Sequence, residues 1–408
     1  MKKRKNLVVG ILIFISCLGL DAKTPLEFLK EAKKPEFKKG HTLLPLSRWG
    51  WELDTQTKIE LAKNWGYAIE IIDRKIDEEA CKIAKEEKLP VFVIIPRPIY
   101  KLGKGFLDDI ADRAYCKDEN GNVIKGVISP EAPNIIFEKA GEVAVDYLNK
   151  VAEKAGKENI KIILNGGEYG LGVYGFTSKH WKKDPEVLKA KDNKSWFEYI
   201  SERKSHQEKL IHDVVKKAFP EAYYIYYHTE GIHANRYESW WEWSYDYKYM
   251  RLVSDFPSAS IYYGEFNSGF DPKGNYGDML TQALNSVTQQ LQFGDNFSYN
   301  WVCGGWEKYG HGDLSLYMGY LKCYYTAGMI GGIAGYFNVP KGGFTGDQGE
   351  ELPHWLAQMM ILSYVHALFS NLEDFIKNSS LLPGPEKHKW SKNLPAYEFP
   401  TGDPYFRV

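Results

Sequence analysis

Two glutamates, Glu168 and Glu265, each follow a glycine at the end of a short apolar run. The first run reads Ile162-Ile163-Leu164-Asn165-Gly166-Gly167-Glu168-Tyr169-Gly170, the second Ile261-Tyr262-Tyr263-Gly264-Glu265-Phe266-Asn267. A carboxyl that ends a buried strand beside residues too small to cover it looks into a cleft rather than a core. Two such groups, far apart in sequence, are the minimum set for hydrolysing a glycosidic bond. One stays protonated to donate to the leaving oxygen; the other stays ionised to attack the anomeric carbon or to activate water. Glu265 is expected to be the nucleophile, because the phenols of Tyr262 and Tyr263 can donate to it and hold it ionised. Glu168 is then the acid/base. A carboxyl separation of roughly 5–5.5 Å would give the expected retention of configuration, and roughly 6.5–9.5 Å would give inversion. For either glutamate alone, capping a helix or pairing with an arginine remains open. Glu230, in His228-Thr229-Glu230-Gly231, is the competing carboxyl.

Elements that could position these groups alternate along most of the chain. Strands are expected at Thr42–Trp49, Ala68–Asp73, Pro90–Pro96, Ile160–Leu164, Tyr223–His228, Ala259–Tyr263, Phe297–Val302 and Gly332–Phe337. Helices are expected at Thr55–Asn64, Asp77–Glu87, Asn134–Ala155, Trp196–Phe219, Asp278–Phe293, Leu314–Met329 and Pro353–Asn378. A hairpin turn is expected at Glu119-Asn120-Gly121-Asn122, and a Lys-rich insertion at Phe176–Lys194. The strand runs are too apolar to alternate, which argues for a parallel sheet buried on both faces. Eight βα units suit an α/β fold closed into a (β/α)8 barrel. A doubly wound open sheet is the rival, weakened by the absence of a GxGxxG or P-loop sequence after an early strand. The barrel is expected over 23–380, with an irregular, proline-containing extension at 381–408 that could begin a further β domain.

In such a barrel the working face is the C-terminal end of the strands. The residues that would gather there are Arg48, Trp49, Trp51, Glu52, Asp73, Arg74, Arg97, Asn165, Glu168, His228, Glu230, Glu265, Asn267, Asn300, Trp301, Trp306 and Asn338, with Tyr263 beside Glu265. Hydrogen-bonding side chains would fix sugar hydroxyls, and the indoles would stack on ring faces. Trp49, Trp51, Glu52, Arg97, Asn165, His228, Glu230, Tyr263, Asn267, Trp301 and Trp306 are therefore the expected substrate contacts. Arg48, Arg74 and Arg97 could instead brace the catalytic acids or receive an anionic group. Trp240-Trp241-Glu242-Trp243 could be a rim platform or a packed helix face.

Composition narrows the alternatives. The 408 residues carry a formal net charge of −1, which gives no electrostatic reason to expect nucleic acid. Aromatic residues make up 15%, enough for a large core and also suited to a sugar cleft. Lys2, Lys3, Arg4 and Lys5 precede an apolar stretch, Leu7 to Leu20, too short for a comfortable membrane span. This reads as an export signal over residues 1–22, cleaved before Lys23, or as a lipoprotein signal with Cys17 as the lipidated residue. Removing it leaves 48 basic and 52 acidic residues, a net charge of −4. The product would be secreted, periplasmic or lipid-anchored, with no membrane span after processing. Cys81, Cys116, Cys303 and Cys323 then remain, without CxxC spacing or a histidine cluster, and Cys81 and Cys323 fall in expected helices. His228 and His233 lie five apart and are not expected to ligate a metal, so no metal and no organic cofactor is expected.

The chain resembles the (β/α)8 glycoside hydrolases, in particular the clan A-like enzymes that degrade polysaccharides, from about His41 to Asn378. That group commonly places its acid/base after strand four and its nucleophile after strand seven. Glu168 matches the first position. Gly167 stands where the group has an asparagine directly before the acid, and Asn165 lies three residues before Glu168. Glu265 follows strand six by the count above. Either one strand is counted in excess near Gly332–Phe337, or the chain is like the barrels that use strands four and six. The Trp301 segment is similar to the aromatic strand end that floors the sugar site in this group. The resemblance implies an exported hydrolase acting on a polysaccharide or oligosaccharide. A non-catalytic carbohydrate-binding lipoprotein on the same barrel is the alternative. A metal-dependent deacetylase or amidohydrolase is disfavoured, because only His228 among the 10 histidines falls at a strand end.

Overall fold

A computed structural model describes residues 23–49, 53–72, 76–96, 98–165, 178–226, 249, 251–258, 260–262, 298–303, 334–338 and 354–378. Ten strands fall within them: β1 Ser47–Arg48, β2 Ile69–Ile71, β3 Val91–Ile95, β4 Tyr115–Lys117, β5 Val123–Ile128, β6 Ile160–Asn165, β7 Tyr223–Tyr226, β8 Ser260–Tyr262, β9 Tyr299–Cys303 and β10 Gly335–Asn338. β4 and β5 form a separate antiparallel hairpin. The other eight are parallel and run in the order β8-β9-β10-β1 and β2-β3-β6-β7. A parallel bridge between Leu46 and Tyr67 joins β1 to β2. On the far side, the Asp255 amide donates to the Tyr224 carbonyl (2.8 Å), and the Tyr299 amide donates to the Pro257 carbonyl (2.9 Å). The segment leading into β8 thus links β7 to β9 and closes the ring. The fold is a (β/α)8 barrel, not an open sheet. β6, β8 and β9 are its fourth, sixth and seventh strands.

Five long helices surround the described part: α2 Thr55–Asn64, α3 Glu78–Glu87, α4 Asn134–Ala155, α5 Trp196–Ala218 and α6 His354–Lys377. The first is preceded by a short α1, Pro25–Glu31. Thr24 and Glu27 close a reciprocal capping box on α1, and Asp54, Asp77 and Ser195 cap α2, α3 and α5 by accepting from backbone amides in the first turn. Leu29 of α1 joins Leu61, Trp65, Leu356, Met359 and Phe369 in one buried cluster, so α1 and α6 pack together where the chain enters the barrel. Each such aliphatic side chain contributes about 1.5–3 kcal/mol by leaving water. The hairpin turn forms where expected. Asp118 accepts from the amides of Asn120 and Asn122, and Gly121 takes a φ of 84° that a side chain would resist. The Lys-rich insertion supplies two short helices, Ser178–Trp181 and Pro185–Lys191.

Two cores lie on either side of the sheet. Inside the ring are Ala68, Phe92, Ile94, Ile162, Leu164, Ile225, Tyr299 and Trp301. Between sheet and helices are Ile69, Ile71, Val91, Val93, Ile163, Tyr224 and Tyr226. Cys81 and Cys116 are buried free thiols, and burial pushes both up to about 12. Such thiols stay protonated and behave as small apolar side chains. Among the described residues no helix is long and apolar enough to cross a membrane. The expected signal over 1–22, the extension over 381–408, Cys17 and Cys323 lie outside the described residues.

Candidate functional site

Because all eight barrel strands are parallel, the segment that follows each of them leaves at one end of the ring. Glu168 lies three residues past Asn165, the last residue of β6, and Glu265 three past Tyr262, the last of β8. Both glutamates lie outside the described residues, as do Trp51, Glu52, Arg97, His228, Glu230, Tyr263, Asn267 and Trp306. Of the expected contacts, Trp49, Trp301 and Asn165 are described.

Trp49 and Trp301 come together. Their ring centroids are 5.0 Å apart and tilted by 55°, a favourable aromatic geometry. Trp301 is only 2% exposed, whereas Trp49 is half-buried. Parallel pairing puts Ser47 level with Phe337, and Phe337 level with Trp301. Trp49 therefore stands one inward-facing position further toward the C-terminal mouth. Trp301 forms the floor, and Trp49 rests on it. One layer below, the Tyr299 hydroxyl hydrogen-bonds the Pro45 carbonyl (2.6 Å) and meets the Ser47 hydroxyl at 2.5 Å.

Asn165 departs from expectation. Ile162 and Leu164 point into the ring, so the strand's alternation turns Asn165 outward, toward α5. Its amide donates to Glu208 of α5 (2.6 Å) and to the Tyr224 hydroxyl (3.1 Å), and it is 5% exposed. It belongs to the layer between sheet and helix rather than to the substrate contacts.

Among the buried carboxyls that the sequence reading passed over, two lie against the barrel strands. Glu70, in the middle of β2, lies between inward-facing Ala68 and Ile72 and forms an ion pair with Arg48, both within the protein interior. Burial pushes Glu70 up to about 7 despite the guanidinium that opposes the shift. The partner of Arg48 among the described residues is thus Glu70, a carboxyl that the sequence reading gave no role. A carboxyl inside the apolar run Ala68–Ile72 marks a buried polar group, but the run does not tell which core it faces. Glu208 is the second; burial pushes it up to about 8, opposed by hydrogen bonds from Tyr224 and Asn165. Its only trace in the sequence is its place on the buried stripe of α5 with Ser201, Lys204, Ser205 and Ile211. Among the described residues no group of three or more His, Cys, Asp or Glu is arranged to hold a metal ion.

No protein-family model matches the chain, and no curated protein matches it. Solved structures that it resembles are glycoside hydrolases of the same barrel type. The catalytic domain of β-amylase from Paenibacillus polymyxa is similar at 13% identity and a TM-score of 0.47, over 79% of this chain and 99% of that one. A β-galactosidase from the psychrophilic Marinomonas ef1 is similar at 11% identity and a TM-score of 0.48, over 81% of this chain. An exo-carrageenase from Bacteroides ovatus is similar at 9% identity and a TM-score of 0.47, over 85% of this chain. The chain spans 61% of that β-galactosidase and 54% of that carrageenase. Likeness at this distance concerns the fold and assigns no reaction.

Proposed function

We propose that this protein is an exported glycoside hydrolase that cleaves a polysaccharide or oligosaccharide, with Glu168 as acid/base and Glu265 as nucleophile. The observation that carries the reading is the strand order. β6 and β8 are parallel members of one closed ring, so both strands run toward the end of the barrel at which Trp49 rests on Trp301. An indole that is half-buried on an aromatic floor suits the face of a sugar ring. The proton route follows from the chemistry of the pair. Glu168 gives its proton to the glycosidic oxygen as Glu265 attacks the anomeric carbon, and Glu168 then takes a proton from the water that releases the sugar.

A second reading concerns the nucleophile alone. β9 is the seventh strand, and Glu307 lies four residues past Cys303, its last residue. The resemblance drawn from the sequence puts a nucleophile after that strand, so Glu307 competes with Glu265. Both alternatives keep Glu168.

Release of reducing ends from a panel of polysaccharides and aryl glycosides tests this. Glu168→Gln is expected to lower turnover by about 10²–10⁴-fold. Glu265→Gln should lower it at least as far, while Glu307→Gln leaves it nearly unchanged; the reverse order would transfer the nucleophile to Glu307. Sugar binding with no turnover in the unaltered protein, and unchanged affinity in all three variants, would identify a carbohydrate-binding protein instead. Labelling of the cell-associated protein with a fatty acid, abolished by Cys17→Ser, would decide for lipid anchoring over free secretion.

A further inference from the structure

Glu208 sits at mid-length on α5, on the stripe that this helix turns toward the sheet. One of its oxygens, Oε1, accepts from the Tyr224 hydroxyl (2.5 Å) and from the Asn165 amide nitrogen (2.6 Å). The same nitrogen donates to the Tyr224 oxygen at 3.1 Å, which completes a three-membered cycle. The cycle joins the fourth strand, the fifth strand and the helix between them at one point. It is sealed from water: Glu208 and Tyr224 are 0% exposed. Among the described residues Glu208 Oε2 has no hydrogen-bond partner, an arrangement far less costly for a neutral acid than for a carboxylate. The titratable groups around the carboxyl are Tyr224 and Tyr226 on β7, and Lys204 and His212 one turn to either side on α5. His212 meets the Tyr224 ring edge-on at 5.2 Å.

The chain directly beyond this point is Gly166-Gly167-Glu168. Two consecutive glycines impose almost no conformational preference of their own. The last side chain that can fix where the segment departs is therefore Asn165, and Asn165 is held from outside the barrel. We propose that Glu208 is a positioning residue for Glu168: it moors Asn165 to α5, and so sets the height and direction at which the Gly-Gly-Glu segment leaves the fourth strand. The role of Glu168 here rests on the function proposed above; the mooring itself rests only on the cycle. Displacement of a catalytic group by an ångström can cost about 10²-fold in rate, so a group well away from the substrate can carry a kinetic effect.

The test compares Glu208→Leu with Glu208→Gln in the full chain. Glutamine keeps an oxygen that accepts from Tyr224 and Asn165, and it cannot titrate. Hydrogen–deuterium exchange over residues 160–170 is expected to rise about tenfold or more in Glu208→Leu, the equivalent of one lost buried hydrogen bond, and to return to the parent level in Glu208→Gln. Turnover should follow the same order, with kcat reduced and KM held in the leucine variant. Tyr224→Phe, which removes one donor and little volume, should raise exchange by less than Glu208→Leu and serves if the leucine variant does not fold. Unchanged exchange over 160–170 in both Glu208→Leu and Tyr224→Phe would overturn the mooring. Raised exchange in a protein with no measurable glycosidase activity would uphold the mooring and remove the catalytic reading.

Discussion

Two buried carboxyl groups lie on opposite sides of one sheet. Glu70 is inside the ring with a guanidinium partner, and Glu208 is outside it with only neutral hydrogen-bond donors on its Oε1. Burial raises both, the first to about 7 and the second to about 8. The guanidinium therefore does not overcome desolvation; it reduces it. The interior of the barrel is built to accept a charge on Glu70 because Arg48 reaches it from the end of the neighbouring strand. The layer between sheet and helix favours the neutral acid at Glu208. One position is an ion pair near balance, and the other is a hydrogen-bond acceptor that happens to titrate.

The sharpest way to break this contrast is to remove the cation. Arg48→Leu leaves a buried carboxyl with its counter-charge gone, which is expected to cost about 3–5 kcal/mol in denaturant unfolding at pH 7. Replacing both partners, Arg48→Leu with Glu70→Leu, should recover most of that loss. A cost below about 1 kcal/mol for the single variant would mean that Glu70 is already neutral at pH 7, and the two carboxyls would then be alike.

The parity that separates these two groups was the part of the fold hardest to read. Apolar runs located all eight barrel strands, and α2 and α4 fall at Thr55–Asn64 and Asn134–Ala155 as periodicity indicated. In a parallel barrel, however, both faces of a strand are buried, so no alternation tells which residues point inward. Asn165 was accordingly assigned to the cleft, although it faces α5. Glu70 was hidden for the same reason, since a carboxyl in an apolar run can face either core. Glu208 became legible only when α5 was seen to lie against β6 and β7. The short α1 with its Thr24 and Glu27 capping box was missed, because its seven residues are too few for periodicity to register. Trp49 lies directly after β1, as the apolar run indicated, whereas Trp301 is the middle residue of β9 and 2% exposed, so it belongs to the interior rather than to a strand end.

The second way to sharpen the comparison uses pH. In the unfolded chain both glutamates ionise near 4.5; in the folded protein Glu70 holds its proton to about 7 and Glu208 to about 8. A raised carboxyl gives stability that is fully present below the unfolded value and is lost as pH rises toward the folded one. Between pH 7 and 8 the Glu208 contribution should be falling at most of its full rate, while that of Glu70, already past its midpoint, falls more slowly. In that interval Glu208→Gln is expected to gain on the parent protein by about 1 kcal/mol, and Glu70→Gln by less than half as much. Parallel unfolding curves at pH 7 and 8 measure this directly, and equal slopes for the two variants would contradict the order of the two groups.

The smallest effect concerns the pair Trp49 and Trp301. Trp49→Phe keeps an aromatic ring on the Trp301 floor, so the stability change should stay within about 1 kcal/mol, the scale of a single ring contact. The same change removes the larger indole face from the mouth of the barrel. If the pair serves a sugar ring, KM should rise by severalfold while thermal unfolding scarcely moves. If Trp49 only covers the interior, the reverse holds: unfolding shifts and KM does not. Trp301→Phe supplies the control, because Trp301 is 2% exposed and a smaller ring there leaves a void under Trp49. Its effect should fall on stability first, by an amount that exceeds the Trp49→Phe change. A sugar platform and a core plug are thus separated by which of two neighbouring tryptophans answers to substrate and which to heat.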